Sequence, residues 1–169
     1  MLSVAVRQQE LASIPRQHAQ PAASRRRPTR VVFLTNSLSY GGAERQLVTL
    51  ASGLHRRGHS VRVAVFYSGG ELEPDLRKSG VPVVVLDKNG RWYSFGFLQR
   101  LIEFIRREDP DVVNGYLMFP NLLALLLRLW FPRIRAVWGL RDSAMDVTKL
   151  DWFEKIIYLA QCRLARFAD

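Results

Sequence analysis

The chain has 169 residues, 48% hydrophobic and 11% aromatic, with a formal net charge of +10. That length holds one ordinary domain, and that apolar content can bury a core, which excludes a wholly disordered chain. A lone cysteine, Cys162, excludes an internal disulfide; no Cys/His cluster has metal-ligand spacing, and no run reaches the roughly 18 apolar residues of a membrane span.

In chain order, residues 1–29 are expected to be a disordered basic tail, where Arg7, Arg16, Arg25, Arg26 and Arg27 face Glu10 alone. The early polar run Arg7-Gln-Gln-Glu10 does not fit a secretory signal. Residues 30–169 are expected to form one domain, whose remaining positive excess suits an anionic partner. Arg30–Thr35 is β-branched and apolar and predicts a buried strand. A helix follows, with Leu47, Leu50, Ala51 and Leu54 at helical spacing and Arg56 and Arg57 ahead of Gly58. Residues 61–67 predict a second strand, 71–79 a short helix and 81–86 a third strand. Ser94 is placed to cap a helix carrying Phe97, Leu98, Leu101, Ile102 and Ile105 on one face. Val112–Tyr116 predicts strand four, 121–131 a helix apolar nearly all round, 135–140 strand five, and 150–168 a last helix. That helix ends with no Gly or Pro stop and with Asp169 at the unfavourable end of its dipole, the pattern expected of a chain cut before a further domain.

Strands alternating with helices predict an α/β fold: a Rossmann-like, doubly wound parallel sheet with helices on both faces. Ligands bind such sheets outside the carboxyl ends of the strands, which directs attention to the loops 36–42, 116–121 and 139–146. The first holds Gly41-Gly42-Ala43-Glu44 between a strand and a helix, beside Asn36, Ser37, Ser39 and Tyr40. Glycines allow close backbone approach and a helix start favours anions, so a diphosphate would fit; a structural turn with a helix cap fits the same residues. Glu44 suits its first-turn position through the helix dipole alone. Arg141, after strand five, could pair with a phosphate or with Asp142 or Asp146. His55 and His59, at a helix end and turn, are expected on the surface.

The run Leu34-Thr-Asn-Ser-Leu-Ser-Tyr-Gly-Gly-Ala-Glu-Arg-Gln-Leu47, then Leu54-His-Arg-Arg-Gly-His-Ser-Val61, resembles the opening of family-four retaining glycosyltransferases of the GT-B fold. Asp109-Pro-Asp-Val-Val113 and Val137-Trp-Gly-Leu-Arg-Asp-Ser143 fit the same order, so the resemblance covers about residues 30–169. It implies the acceptor-side domain of a two-domain enzyme with its active site in the cleft between domains. Gly41 and Gly42 would then lie near the diphosphate and sugar of a nucleotide-sugar donor. A carboxyl-terminal donor domain would supply the paired glutamates and the basic clamp, so catalytic residues are not assigned. Where many relatives carry His-x-His, this chain has Asn114-Gly-Tyr116; a histidine's proton relay does not transfer, and Asn114, Tyr116, Arg141 and Ser39 are left as cleft or acceptor candidates.

The resulting expectation is a nucleotide-sugar-dependent glycosyltransferase domain of hexosyltransferase type, for glycan or lipid-linked sugar biosynthesis, inactive without its second domain. No cofactor, metal or nucleic-acid partner is expected; the donor is a substrate, and the acceptor is a sugar or lipid-linked sugar. The expected location is cytoplasmic, with a peripheral reading at the inner face of the plasma membrane carried by helix 121–131 and by Trp130, Phe131, Arg133 and Arg135. Two rivals stand beside this: a non-catalytic Rossmann-like interaction domain with structural glycines, and a nucleic-acid binder, for which only the net charge speaks.

Overall fold

The computed structural model describes residues 27–88 and 94–139, together with helical positions 155, 158–160, 162 and 163. The expected tail, apart from residues 27–29, and most of the expected last helix lie outside the described residues.

The elements are β1 (Arg30–Thr35), α1 (Gly42–Arg56), β2 (Ser60–Val65), α2 (Glu73–Lys78), β3 (Val83–Val85), α3 (Ser94–Glu108), β4 (Val112–Tyr116), α4 (Met118–Trp130) and β5 (Arg135–Gly139). All strand pairs are parallel, in the order β3-β2-β1-β4-β5. Successive strands therefore step outward from β1 on one side, and the chain then crosses back to build β4 and β5 on the other. Side chains alternate across β1. Val32 and Leu34 join a core with Phe66 of the β2–α2 loop, Phe97, Leu101, Phe104 and Ile105 of α3, and Leu123, Ala124 and Leu127 of α4. Val31 and Phe33 join the opposite core with Leu47 and Ala51 of α1, Leu72 just before α2 and Leu76 within it. Helices cover both faces, and the reversal of strand order is matched by a change of face, as a single crossover hand requires.

Some details differ from the sequence pattern. α4 begins at Met118, not 121, because Pro120 sits in its first turn, where no backbone N–H is needed. The expected loop 116–121 thus shrinks to Leu117. β3 is only three residues long, although the Pro82 carbonyl just before it still accepts from the Val63 N–H at 3.0 Å. Leu50, expected on the apolar face of α1, is 38% exposed, while Leu47 and Ala51 face the sheet.

The amino edge of the sheet is cross-linked by polar groups. The Arg30 N–H donates to Asp111 Oδ2 at 2.8 Å, and its guanidinium reaches Asp109 at 2.8 Å and Asp111 at 3.4 Å. Arg62 of β2 pairs with Glu108 at the end of α3 at 2.9 Å. The Thr29 N–H donates to His59 Nδ1 at 3.2 Å, which draws His59 in from the surface. His55 is likewise half-buried, with Gly80 packed close to its ring, so both histidines correct the surface expectation. The Asp-Pro-Asp stretch is accordingly a clamp between β1 and β4.

The backbone hydrogen bond from Arg30, helped by the facing guanidinium, holds the Asp111 carboxyl below the ordinary aspartate range against partial burial. A lowered folded-state pKa stabilises fully at neutral pH, and the stabilisation is lost as pH falls through the lowered value. Because the Asp111 side chain is 39% exposed, solvent screens the pair, and about 1 kcal/mol is expected. Asp111→Asn should lower Tm at pH 7 by roughly 2–4 °C. In melts repeated toward about pH 3 the gap should narrow; a gap independent of pH would contradict this account.

Candidate functional site

The strand order reverses between β1 and β4, so their carboxyl ends open a crevice that no crossover covers. The loop after β1 forms one wall, and its backbone is pinned from below. The Phe66 and Tyr67 N–H groups donate to the Asn36 carbonyl at 3.0 and 2.9 Å, Leu72 N–H to the Leu38 carbonyl at 2.9 Å, and Tyr40 N–H to Glu71 Oε2 at 3.1 Å. Leu38 is fully buried and anchors the loop tip. Gly70 lies flat against it: a Cβ there would stand 2.6 Å from the Leu38 Cα and carbonyl oxygen. The Ser68-Gly-Gly70 turn is therefore a support for the first loop.

Gly41 is the N-cap of α1, in extended conformation and with no side-chain cap. A Cβ on it would collide with the Glu44 carboxylate, which folds back over the helix start. That places negative charge beside the positive end of the dipole, and an anion bound there would have to displace it. Gly42 differs: it is exposed, and a Cβ on it would meet nothing within 4 Å. The chain's own packing makes no demand for glycine at that position. Ser39 is exposed and its hydroxyl accepts from the Ser37 hydroxyl at 3.2 Å. Tyr40 is 66% exposed and stacks beneath the Arg45 guanidinium, 5.5 Å from the ring centroid.

β4 forms the second wall. Gly115 has the first turn of α4 directly over it, since a Cβ would stand 2.6 Å from Asn121 N and the Pro120 carbonyl oxygen. To enter the helix so abruptly, Leu117 adopts φ 71° and ψ 178°, a region suited to glycine and costing on the order of 1–3 kcal/mol for other residues. It is held by hydrogen bonds: its N–H to the Gly139 carbonyl at 3.4 Å, its carbonyl from Asn121 N–H at 3.1 Å, and Asn121 Oδ1 from Gly139 N–H at 3.2 Å. Asn121 is fully buried. Tyr116 is buried at the strand end, edge-on to Phe33 with centroids 6.0 Å apart, and lines a cavity of about 670 Å³ along α1 with Arg45, Thr49, Leu50 and Arg57. Asn114 lies two residues deeper on the same strand face, half-buried, with its Oδ1 buried and unpartnered among the described residues.

The structure thus brings Gly41, Gly42 and Ser39 to one wall of the crevice and Tyr116 to the other, while Asn114 sits below the edge. Arg141 lies outside the described residues. Three residues on this edge that sequence reasoning missed are Tyr67, Lys88 and Phe119, whose side chains meet at the ends of β2, β3 and β4. Their signal was position alone, each standing just after a strand. Asn121 and Gly115 were also missed, although a glycine inside a strand pattern is a known sign of close backbone approach.

A Rossmann-like sheet with this strand order hosts many functions, and one half of a GT-B glycosyltransferase fold is built on such a sheet. Residues 40–169 match the model of Glycosyltransferase Family 4, and the chain belongs to that family. The Anabaena protein HepE, crystallised in complex with UDP and glucose, superposes with a TM-score of 0.63 at 20% identity, over 83% of this chain and 36% of its own. A glycosyltransferase from Rickettsia africae superposes with a TM-score of 0.50 at 15% identity, over 78% of this chain and 35% of its own. At such identities the likeness is one of fold, and the chain spans about a third of the length of these structures. No curated protein sequence matches the chain.

The glycines divide by what they touch. Gly70→Ala and Gly115→Ala push a methyl group into backbone and should each cost about 1–3 kcal/mol, read as a lower Tm. Gly42→Ala should stay within about 1 kcal/mol of wild type. A Gly42 variant as destabilised as the other two would make that glycine a packing residue.

Proposed function

We propose that this chain is the acceptor-side domain of a retaining glycosyltransferase that transfers a hexosyl group from a nucleotide sugar to a glycan or lipid-linked acceptor. The observation that carries the reading is the open space over Gly42, at the start of α1 and at the switch point of a Family 4 fold. A glycine that the fold itself does not need leaves room for something that arrives from outside. In this reading the loop lets the donor's diphosphate and sugar approach the backbone, after Glu44 has swung clear. Arg141 pairs with a phosphate, and Ser39, Asn114 and Tyr116 belong to the acceptor wall. A carboxyl-terminal donor domain supplies the nucleotide grip and the electrostatic stabilisation of the departing diphosphate. No cofactor beyond the donor enters the scheme.

One further observation favours work at the cytoplasmic face of a membrane. No helix among the described residues is long and apolar enough to cross one. Yet Leu126, Leu129 and Trp130 of α4 are 45%, 72% and 58% exposed, beside the exposed Arg133. Apolar side chains rimmed by cations suit an anionic lipid surface. Vesicle flotation should find the chain with phosphatidylglycerol vesicles and not with phosphatidylcholine alone, and Leu129→Ser with Trp130→Ser should release it. Equal binding of the double variant would remove the membrane from the scheme.

The test of the main reading uses the complete two-domain protein. Gly42→Val should abolish sugar transfer to acceptor while leaving Tm within about 2 °C, since the side chain enters space only a ligand uses. The 169-residue chain alone should give no multiple turnover with nucleotide sugars and acceptors, because one wall of a cleft neither excludes water nor orients two substrates. Unchanged turnover in the variant, or robust turnover by the isolated chain, would overturn this division of labour.

A further inference from the structure

The joint between β4 and α4 combines one strained residue with one buried amide. Leu117, at φ 71° and ψ 178°, lies in a region that is essentially glycine's own. Asn121, in the first turn of α4, is fully buried. Its backbone N–H donates to the Leu117 carbonyl at 3.1 Å, and its Oδ1 accepts from the Gly139 N–H at 3.2 Å. The Leu117 N–H donates to the Gly139 carbonyl at 3.4 Å, so both backbone polar groups of the last β5 residue are engaged here. Gly139 in turn lies against the Tyr116 ring. A Cβ on it would stand 3.4 Å from Tyr116 Cδ2 and 3.0 Å from the Gly115 carbonyl oxygen.

Packing alone gives no reason for an amide at this position. The Asn121 Nδ2 is buried with no hydrogen-bond partner among the described residues, so the side chain carries a desolvation cost that only its Oδ1 bond offsets. Leu123 and Leu125, buried on the same helix, carry none. Packing does not explain the strain at Leu117 either, since a glycine would adopt the same backbone without it. What the two features share is geometric. They fix the end of β4, with Tyr116, against the end of β5, two residues before Arg141.

We propose that Asn121 and Leu117 are positioning residues for the transfer reaction: Asn121 latches the ends of β4 and β5 together, and the strained Leu117 keeps that joint stiff. The inference rests on the transferase reading above and adds to it the device that holds one wall of the cleft in place. Neither residue acts on the reacting groups itself. Each acts through Tyr116 and the Gly139 backbone. Strain of this kind persists only where the surroundings over-determine it. A misplacement of about 1 Å in a positioning group can cost on the order of a hundredfold in rate, so a stiff joint has a kinetic value that stability does not register.

The test uses the complete two-domain protein, with Tm and turnover measured on the same samples and assays run well below Tm. Leu117→Gly should keep Tm at or above the wild-type value, because the strain is gone. Its kcat should nonetheless fall about tenfold or more, because the joint is loose. Asn121→Ala should lose turnover to a similar degree. Asn121→Asp keeps an acceptor for the Gly139 N–H, in a first turn that favours a carboxylate, and should recover most of that loss. KM for the nucleotide sugar should stay within about twofold in all three, since the donor loop lies on the other wall. Hydrogen exchange at the Gly139 amide should speed up about tenfold in Asn121→Ala and stay slow in Asn121→Asp. A Leu117→Gly enzyme with unchanged kcat overturns the proposal. So does one that loses Tm and kcat together, which would make Leu117 a packing residue. Asn121→Asp as slow as Asn121→Ala, or a donor KM that rises as kcat falls, would overturn it too. Wild-type protein that transfers no sugar would sink the transferase reading and this inference with it, whereas an active wild type with equally active variants sinks this inference alone.

Discussion

β1 is the strand on which the domain depends, because it is buried on both faces and bonded on both edges. Val32 and Leu34 on one side, Val31 and Phe33 on the other, each need an apolar cover. Burying a side chain of that size contributes roughly 1.5–3 kcal/mol, so neither face can be left to water. Helices on both sides follow, and with a single crossover hand they require the chain to build outward in one direction and then in the other. The place where it turns back is the seam between β1 and β4. The crevice is therefore a consequence of covering β1, and the loops that reach it are those following the two central strands.

This is why the architecture was legible in the amino-acid sequence while much of the site was not. Five β-branched runs and the helical faces of α1 and α3 announce their own burial, and alternation then dictates a parallel sheet. Pro120 misled the boundary of α4, since proline reads as a stop unless it falls in a first turn, and only the tertiary contact with Gly115 puts it there. Gly70 and Gly42 look alike as turn residues, yet one is pressed on Leu38 and the other faces open space. His55 and His59 carry no periodic signal of burial; their partners, at Gly80 and Thr29, are distant in sequence. The Tyr67–Lys88–Phe119 cluster is the same problem in sharper form. Its members are spread over more than fifty positions, and only the sheet brings them together.

The two edges of the sheet treat polar groups in opposite ways. At the amino edge they satisfy one another: Asp111 with Arg30, Glu108 with Arg62, His59 with the Thr29 N–H. Such contacts tie strand starts together and leave little for a ligand to gain. At the carboxyl edge the backbone is just as firmly held, and several side chains there stay exposed. Leu117 is kept in a costly conformation by Gly139 and Asn121, Gly42 faces open space, and the Lys88 ammonium stands 4.6 Å from the Phe119 ring centroid.

That contrast bears on why the site residues are spread as they are. Rigid backbone with uncommitted side chains is what substrate positioning needs, since groups that must first break their own contacts lose binding energy to the exchange. Glu44, on this edge, is folded over the start of α1 where an anion would bind. Its displacement would set a cost on any anion that binds there. The competition follows from the fold: a helix start invites an internal carboxylate to occupy it. An anion arriving at the start of α1 therefore meets a competitor there.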